Sequence, residues 1–308
     1  MSKEAPAKTP PKPRGRPATG GSKKKPKPPP LEKKGVVSSP DNPANQIEFA
    51  YDTPAVFKNM FKFFTSMKTV HIHIRFSPAG ISFFIRDLLQ KCRVVAHLPG
   101  ANANWYYCTS TVWVGLLRAK VAPIFSRIDS SIHKVSIIKK FDDDEHIEII
   151  LKDMITDKDC NYKIAVSNFD KDDDLLATEG LVVEDALEKH PVAFTLQSAL
   201  VKKTVGDVGS FSDFMTIEKI GLFPLRITYT IQGLTYNETY RDPKKIDLKS
   251  NVKSDEVFRV IMLKESLKAL SGALISPDVR IYCKEGAPMI FISELDALKV
   301  YAVVEAEP

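Results

Sequence analysis

The chain of 308 residues is poor in cysteine and has no long apolar run. Cys92, Cys108, Cys160 and Cys283 stand far apart, and no CxxC pair occurs. That spacing speaks against a zinc cluster or a disulfide framework and for reduced thiols in an intracellular protein. No stretch of about 18 apolar residues is present, so no membrane span is expected. The N-terminal charges are not followed by a hydrophobic core, so no secretory signal is expected. The phosphate-cradling and nucleophile motifs GxxxxGK[ST], GxGxxG and GxSxG are all missing. His71 and His73 lie two apart on one strand face, but no carboxylate or cysteine nearby completes a metal set. Asp142-Asp143-Asp144 and Asp172-Asp173-Asp174 read as solvated acidic turns rather than as paired-metal carboxylates. Together these absences point away from catalysis, a metal and a cofactor.

What is present is an uneven distribution of charge. Residues 1–35 hold eleven Lys or Arg against Glu4 and Glu32, a balance of +9. The whole chain carries +6, which leaves −3 for the remainder. Residues 1–45 also contain eleven of the 21 prolines, a composition that cannot bury enough apolar surface to fold alone. Within this tail, Pro13-Arg14-Gly15-Arg16-Pro17 is similar to an AT-hook core. Gly15 permits close backbone approach to the minor-groove floor, and Arg14 and Arg16 suit a narrow A·T groove. An unspecific polycation is the competing reading, and both involve nucleic acid. Lys23, Lys24 and Lys25, with Lys27, make either a phosphate-binding cluster or a nuclear import signal.

The folded part opens with strand, helix, strand, turn and strand over residues 47–87. Thr53 is the expected N-cap with Pro54 at the first helical position. Val56, Phe57, Met60, Phe61, Phe64 and Met67 recur at helical spacing, with Lys58 and Lys62 opposite. Val70, Ile72 and Ile74 alternate along one strand, and Pro78-Ala79-Gly80 supplies a turn. The same plan repeats coarsely after residue 192, as architecture rather than as residues. Four helices are expected, near 53–67, 118–128, 198–209 and 264–274, among strands that include single runs near 104–115 and 246–248. Pro123 should kink or shorten the second helix. Trp105, Tyr106 and Tyr107 read chiefly as core residues of a strand, with base stacking as the alternative.

This run resembles a PCNA-like DNA sliding clamp, the processivity factor of replicative polymerases, and most closely the viral branch of that family. Gly80 to Asp87, Arg93 to Leu98 and Trp105-Tyr106-Tyr107-Cys108 occur in the same order there. Leu298-Lys299-Val300-Tyr301-Ala302 is similar to the family's terminal strand, so the resemblance covers residues 45–305. It implies an α+β DNA clamp (processivity) fold, with two similar domains that each set two helices inside an antiparallel sheet. Three subunits would close a homotrimeric ring. The implied divisions are a basic tail (1–44), an N-terminal clamp domain (45–167), an interdomain connector (168–191) and a C-terminal clamp domain (192–308).

The resemblance also assigns roles to residues. Lysine on a helix face is ordinarily just solvated. In a clamp ring, Lys58, Lys62, Arg118, Lys120, Arg127, Lys202, Lys203, Lys264 and Lys268 would face the duplex and contact phosphates without reading sequence. Arg86, Leu88, Cys92, Leu175, Leu176, Pro288, Tyr301, Ala302 and Val303 would line a groove for a partner's peptide. The family often has methionine where Arg86 stands and proline where Val304 stands. Edge strands carrying Cys160, Tyr162, Ile164, Tyr236, Glu238 and Tyr240 would pair between subunits, unless the tyrosines pack within one subunit. The implied partners are double-stranded DNA, a DNA polymerase and other proteins with short hydrophobic docking peptides, and an ATP-dependent clamp loader. No membrane partner and no cofactor are implied. The implied location is intracellular, in the host nucleus or a cytoplasmic viral factory. Two DNA-binding alternatives stay open: a monomeric or dimeric processivity factor gripping DNA through a basic face and tail, and an architectural protein acting through the tail.

Overall fold

Alternating burial along the strands sets the layers of this protein. The computed structural model describes residues 35–129, 132–153, 155–167, 173–270 and 274–307. Arg14, Gly15, Arg16, Lys23, Lys24 and Lys25 lie outside the described residues.

The N-terminal half contains β1 (Asn45–Tyr51), α1 (Ala55–Ser66), β2 (His71–Ser77), β3 (Gly80–Arg86), β4 (Cys92–Pro99), β5 (Trp105–Cys108), β6 (Val112–Leu117), α2 (Arg118–Ser126), β7 (Ile132–Lys140), β8 (His146–Asp153) and β9 (Lys158–Ala165). Two short helices follow, α3 (Asp173–Leu181) and α4 (Glu184–Leu187). The C-terminal half contains β10 (Val192–Gln197), α5 (Ser198–Phe211), β11 (Phe214–Ile220), β12 (Leu225–Ile231), β13 (Leu234–Tyr240), β14 (Lys249–Ser250), β15 (Val257–Leu263), α6 (Lys264–Leu270), β16 (Asp278–Cys283), β17 (Met289–Leu295) and β18 (Leu298–Val304).

Three sheets result, in the orders β5-β1-β7-β8-β9, β14-β10-β16-β17-β18-β4-β3-β2-β6 and β13-β12-β11-β15. The nine-stranded sheet spans both halves because β18 pairs antiparallel with β4, from Lys299 opposite His97 to Val304 opposite Cys92. One apolar core therefore runs through the whole fold. Helices α1 and α2 pack together in the first half, and α5 and α6 in the second. The first pair is aromatic: Phe61 and Phe125 stack with centroids 4.0 Å apart, and Phe57 and Phe64 join them against Phe83. Such pairs add about 0.5–1.5 kcal/mol beyond the area they bury. The second pair is aliphatic, with Val201, Val205, Val208, Leu267 and Leu270 buried.

Several sequence expectations need correction. Thr53 does not cap α1; Pro54 holds the cap position without a side-chain bond, and the Thr53 carbonyl accepts from Val56 N. Val70 is exposed, because it precedes β2 and escapes the alternation of Ile72 and Ile74. The run 104–115 is two strands: the chain leaves the five-stranded sheet after Cys108 and enters the nine-stranded one at Val112. Where a strand was expected over 246–248, a 3-10 turn at Pro243–Ile246 precedes the short β14. Helix α2 continues through Pro123 and ends at Ser126, whose hydroxyl donates to the Pro123 carbonyl at 2.8 Å. Residues after Asn168 are not merely an acidic linker, since α3 and α4 form there.

Tyr106 and Glu48 anchor the chain's first described residues. Val37 N donates to the Tyr106 carbonyl and Tyr106 N to the Gly35 carbonyl, both at 2.9 Å. The fully buried Tyr106 ring sends its hydroxyl to the Ser77 and Gly80 carbonyls at 2.7 and 3.0 Å. Gly80 is required at that turn, because its φ is +147° and a Cβ there would lie 2.3 Å from the Leu98 oxygen. Glu48 is buried and accepts from Asp41 N, Asn42 N, Asn45 Nδ2 and Trp105 Nε1 at 2.8, 3.0, 2.7 and 2.8 Å. Burial alone would raise its pKa, but these donors outweigh burial and hold the carboxyl below its ordinary value. Residues 35–44, expected in the tail, are thus tied to the fold. Trp105 and Tyr106 are occupied by this packing rather than presented for base stacking. Glu48→Ala orphans these donors and is expected to cost about 2 kcal/mol, read as a lowered urea-unfolding midpoint.

Candidate DNA-facing helices, strand edges and docking groove

Each helix pair hides its apolar stripe and shows basic residues. Lys62, Lys120, Lys202, Lys203 and Lys268 are exposed, and Lys264 is half-buried. The expected residue Lys58 is also exposed, but its ammonium donates to the Ile128 carbonyl just beyond α2 at 2.5 Å. Arg118 Nε donates to the Thr69 carbonyl at 2.7 Å. Arg127 lies over the Tyr162 ring at 5.7 Å and donates to its hydroxyl at 3.1 Å. Lys58, Arg118 and Arg127 are therefore positioned by the fold, whereas Lys62, Lys120, Lys202 and Lys203 extend from solvated faces. Ala119, Pro123 and Ser126 form the uncharged exposed side of α2.

Strand β9 is an end strand of the five-stranded sheet and β13 of the four-stranded one; β5, β15, β14 and β6 are the other end strands. Period-2 alternation separates the side chains of β9. Ile164 is buried and Cys160 and Tyr162 are half-buried, while Asp159, Asn161 and Lys163 face out. The residues picked from the sequence on β9 thus turn toward the subunit's own core, and its backbone groups form the open edge. On β13, Leu234 and Tyr236 are exposed, and Tyr236 stacks on Tyr229 at 5.8 Å. Glu238 accepts from Tyr229, Tyr240 and Thr204 hydroxyls at 3.0, 2.9 and 3.3 Å. Burial, then the Glu238 charge, pushes Tyr229 up to about 12 and raises Tyr240 as well. A cleft of about 680 Å³ beside β9 is lined by Lys120, Pro123, Ile124, Arg127, Tyr162 and Lys163. Asp143, from the acidic turn after β7, accepts from Lys163 and His146 at 2.7 and 2.9 Å. That turn serves as a local ion-pair latch.

The outer face of the nine-stranded sheet is legible from its register. One cross-strand row runs Arg75, Ser82, His97, Lys299, Glu294; the next runs His73, Phe84, Val95, Tyr301, Ile292, Arg280. A third runs Arg86, Arg93, Val303, Ile290, Tyr282. The apolar part is covered by the connector helices: Leu187 packs on Ile290 and Val303, with Leu181, Val182, Tyr282 and Ile292 around them. Cavities of about 160 and 490 Å³ remain between connector and sheet, the first against Pro288 and the second against Tyr301.

Of the expected groove residues, Arg86, Tyr301 and Val303 share this face, Pro288 borders it, and Leu88 is exposed. Cys92 and Ala302 do not belong to it. Strand alternation turns both side chains to the opposite side, where they are buried in the main core. Leu175 and Leu176 fall within α3, and their side chains lie outside the described ones. Sequence reading missed Arg75, Phe84, His97, Trp113 and Glu179. Only the alternation of β2, β3 and β4 signalled that some of them share a face. His97 is held below the ordinary imidazole value by burial, then by the Arg75 charge. His190, which meets Tyr282 edge-on at 5.9 Å, is lowered by burial.

No family model matches the chain. Curated relatives do: uncharacterized proteins of African swine fever virus, from the Tick/Malawi and Badajoz isolates, are each 35% identical over 277 residues, covering 89% of this chain and 92% of theirs. The corresponding protein of the Pig/Kenya isolate is 35% identical over 272 residues. Among solved structures, proliferating cellular nuclear antigen from Entamoeba histolytica superposes with a TM-score of 0.70 at 14% identity, covering 86% of this chain and all of that one.

The two histidines predict a pH dependence. Their folded-state pKa values are depressed, so the unfolded chain binds protons first once pH falls below about 6.5. Stability is intact above that pH, declines below it, and levels off past the folded-state values. Replacing both (H97Q with H190Q) is expected to flatten the fall in urea midpoint between pH 7 and pH 5. An unchanged slope would refute the assignment.

Proposed function

The chain belongs to the family of these African swine fever virus proteins and has the fold of proliferating cellular nuclear antigen, and from that premise we propose that it is a DNA sliding clamp. Three subunits close a ring around duplex DNA and tether a DNA polymerase and other replication and repair proteins. The observation that carries this reading is that β9 in one half and β13 in the other are end strands of their sheets. A β9 edge on one subunit meeting the β13 edge of the next is a head-to-tail contact that closes after three copies and pairs both of these edges. Residues 45–167 and 192–308 act as the two clamp domains, joined by 168–191.

The helix lysines then meet phosphates without reading bases. Lys62, Lys120, Lys202, Lys203, Lys264 and Lys268 lead, and Lys58, Arg118 and Arg127 add charge from fixed positions. Linkage by topology confers processivity without tight binding, so the protein works as a scaffold rather than as an enzyme. Partner peptides dock between the connector, with Leu175 and Leu176, and the face carrying Arg86, Tyr301 and Val303. An ATP-driven loader opens the ring. Arg14, Gly15 and Arg16, with Lys23, Lys24 and Lys25, add contact through the tail, in the host nucleus or a cytoplasmic viral factory. The +9 tail favours one other reading, a non-ring factor that grips DNA by charge alone.

Light scattering of the full chain across a concentration series tests the ring. The expected mass is three times 34.4 kDa; a monomer at every concentration would move the non-ring factor to first place. Lys62→Ala, Lys202→Ala and Lys268→Ala are each expected to weaken DNA binding equally on all sequences. Each removes three lysines from a ring and should lower the slope of log affinity against log salt by up to about three.

A further inference from the structure

The outer face of the nine-stranded sheet carries a carboxylate receptor that the chain itself fills. Arg75 projects from β2 with its guanidinium 5.3 Å from the Phe84 ring centroid and 5.5 Å from that of Trp113. One carboxylate engages both of its terminal nitrogens: Nη1 donates to Glu179 Oε2 at 2.6 Å and Nη2 to Glu179 Oε1 at 2.5 Å. Ser82 Oγ lies 3.4 Å from Nη2 and 3.0 Å from His97 Nδ1. A planar guanidinium held against aromatic faces is pre-set for two-point recognition of a carboxylate. Phe84, Val95 and Trp113 form an apolar cluster of their own beside it, apart from the main core.

The element that supplies Glu179 is weakly built. Helix α3 reads DDLLATEGL, which gathers no continuous apolar stripe. Gly180 sits within it although a Cβ there would meet nothing within 4 Å. Glycine inside a helix destabilises it relative to alanine, and no packing demand explains this one. Thus a helix of low intrinsic stability is fastened to the sheet through a strong but partly exposed ion pair.

We propose that α3 is a releasable cover, and that Glu179 holds the place of a carboxylate on the docking peptide of a partner protein. The occupant is a short peptide with an Asp or Glu that seats on Arg75. Its neighbouring apolar residues seat on Phe84 and Val95, on the strands β3 and β4 that α3 packs against. Arg75 lies level with His97, two strands across and two residues along from Val95, so strand spacing places it about 12 Å from Val95 and the acidic residue about three to four residues from the apolar ones. This rests on the docking-groove reading above, and it adds the partner's charge and the means by which the groove opens.

A library of random twelve-residue peptides displayed on phage, selected on the immobilised full chain, tests it. The peptides recovered are expected to share an acidic residue at fixed spacing from apolar ones. In anisotropy titrations with a labelled selected peptide, Arg75→Gln should weaken binding about tenfold. Glu179→Gln, which loosens the cover and vacates Arg75, should tighten it about fivefold. Gly180→Ala, which strengthens α3, should weaken it while Arg75 is untouched. Peptides that ignore Arg75 but are lost on Tyr301→Ala overturn this inference and leave the groove standing. Peptides indifferent to both, or none at all, overturn the groove itself.

Discussion

Everything in this molecule hangs on the ladder between β4 and β18. Without it there would be two half-folds, each with an open sheet edge. With it, the six residue pairs from Lys299–His97 to Val304–Cys92 fuse the halves into one sheet and one core. That sheet then has two faces with distinct duties. The inner side chains Ile85, Val94, Val300 and Ala302 join the main core beneath the helices. The outer side chains Phe84, Val95, Tyr301 and Val303 meet the connector. A one-residue slip in this register would exchange the two sets, and buried alternation on both strands forbids it.

The same logic explains how much the sequence disclosed. Helix faces were readable because Phe57, Phe61 and Phe64 or Val201, Val205 and Val208 recur at helical spacing and are buried. Most strands were readable from alternation. What escaped depends on partners distant in the chain. Arg75 and Glu179 are 104 residues apart, and neither has a local reason to be singled out. Cys92 and Ala302 were placed in the groove by order along the chain, although parity along their strands assigns them to the core. The connector helices escaped because acidic residues and a glycine obscure any helical period. Glu48 escaped because a buried carboxylate with donors from four neighbours has no signature until the fold brings them together.

Charge is arranged with the same economy. Arg118 is held by the Thr69 carbonyl and Arg127 by the Tyr162 hydroxyl. Lys202 and Lys203 instead extend from an exposed face. Two carboxylates are engaged within the fold: Asp143 by Lys163 and His146, and Glu238 by two tyrosines and a threonine.

The place of β18 in the sheet also dictates an order of assembly. It is the last strand of this sheet that a ribosome would make, yet it lies in the middle, flanked by β17 and β4. The first half can form its helices and strands early, but β4 must wait with its hydrogen-bonding groups bare until some two hundred further residues exist. Closure of the sheet is therefore a late event with high sequence separation, slow for the reason that all long-range pairing is slow. During that interval the exposed β4 edge is the place where a nascent chain is open to capture by a chaperone or to mispairing with a neighbouring copy.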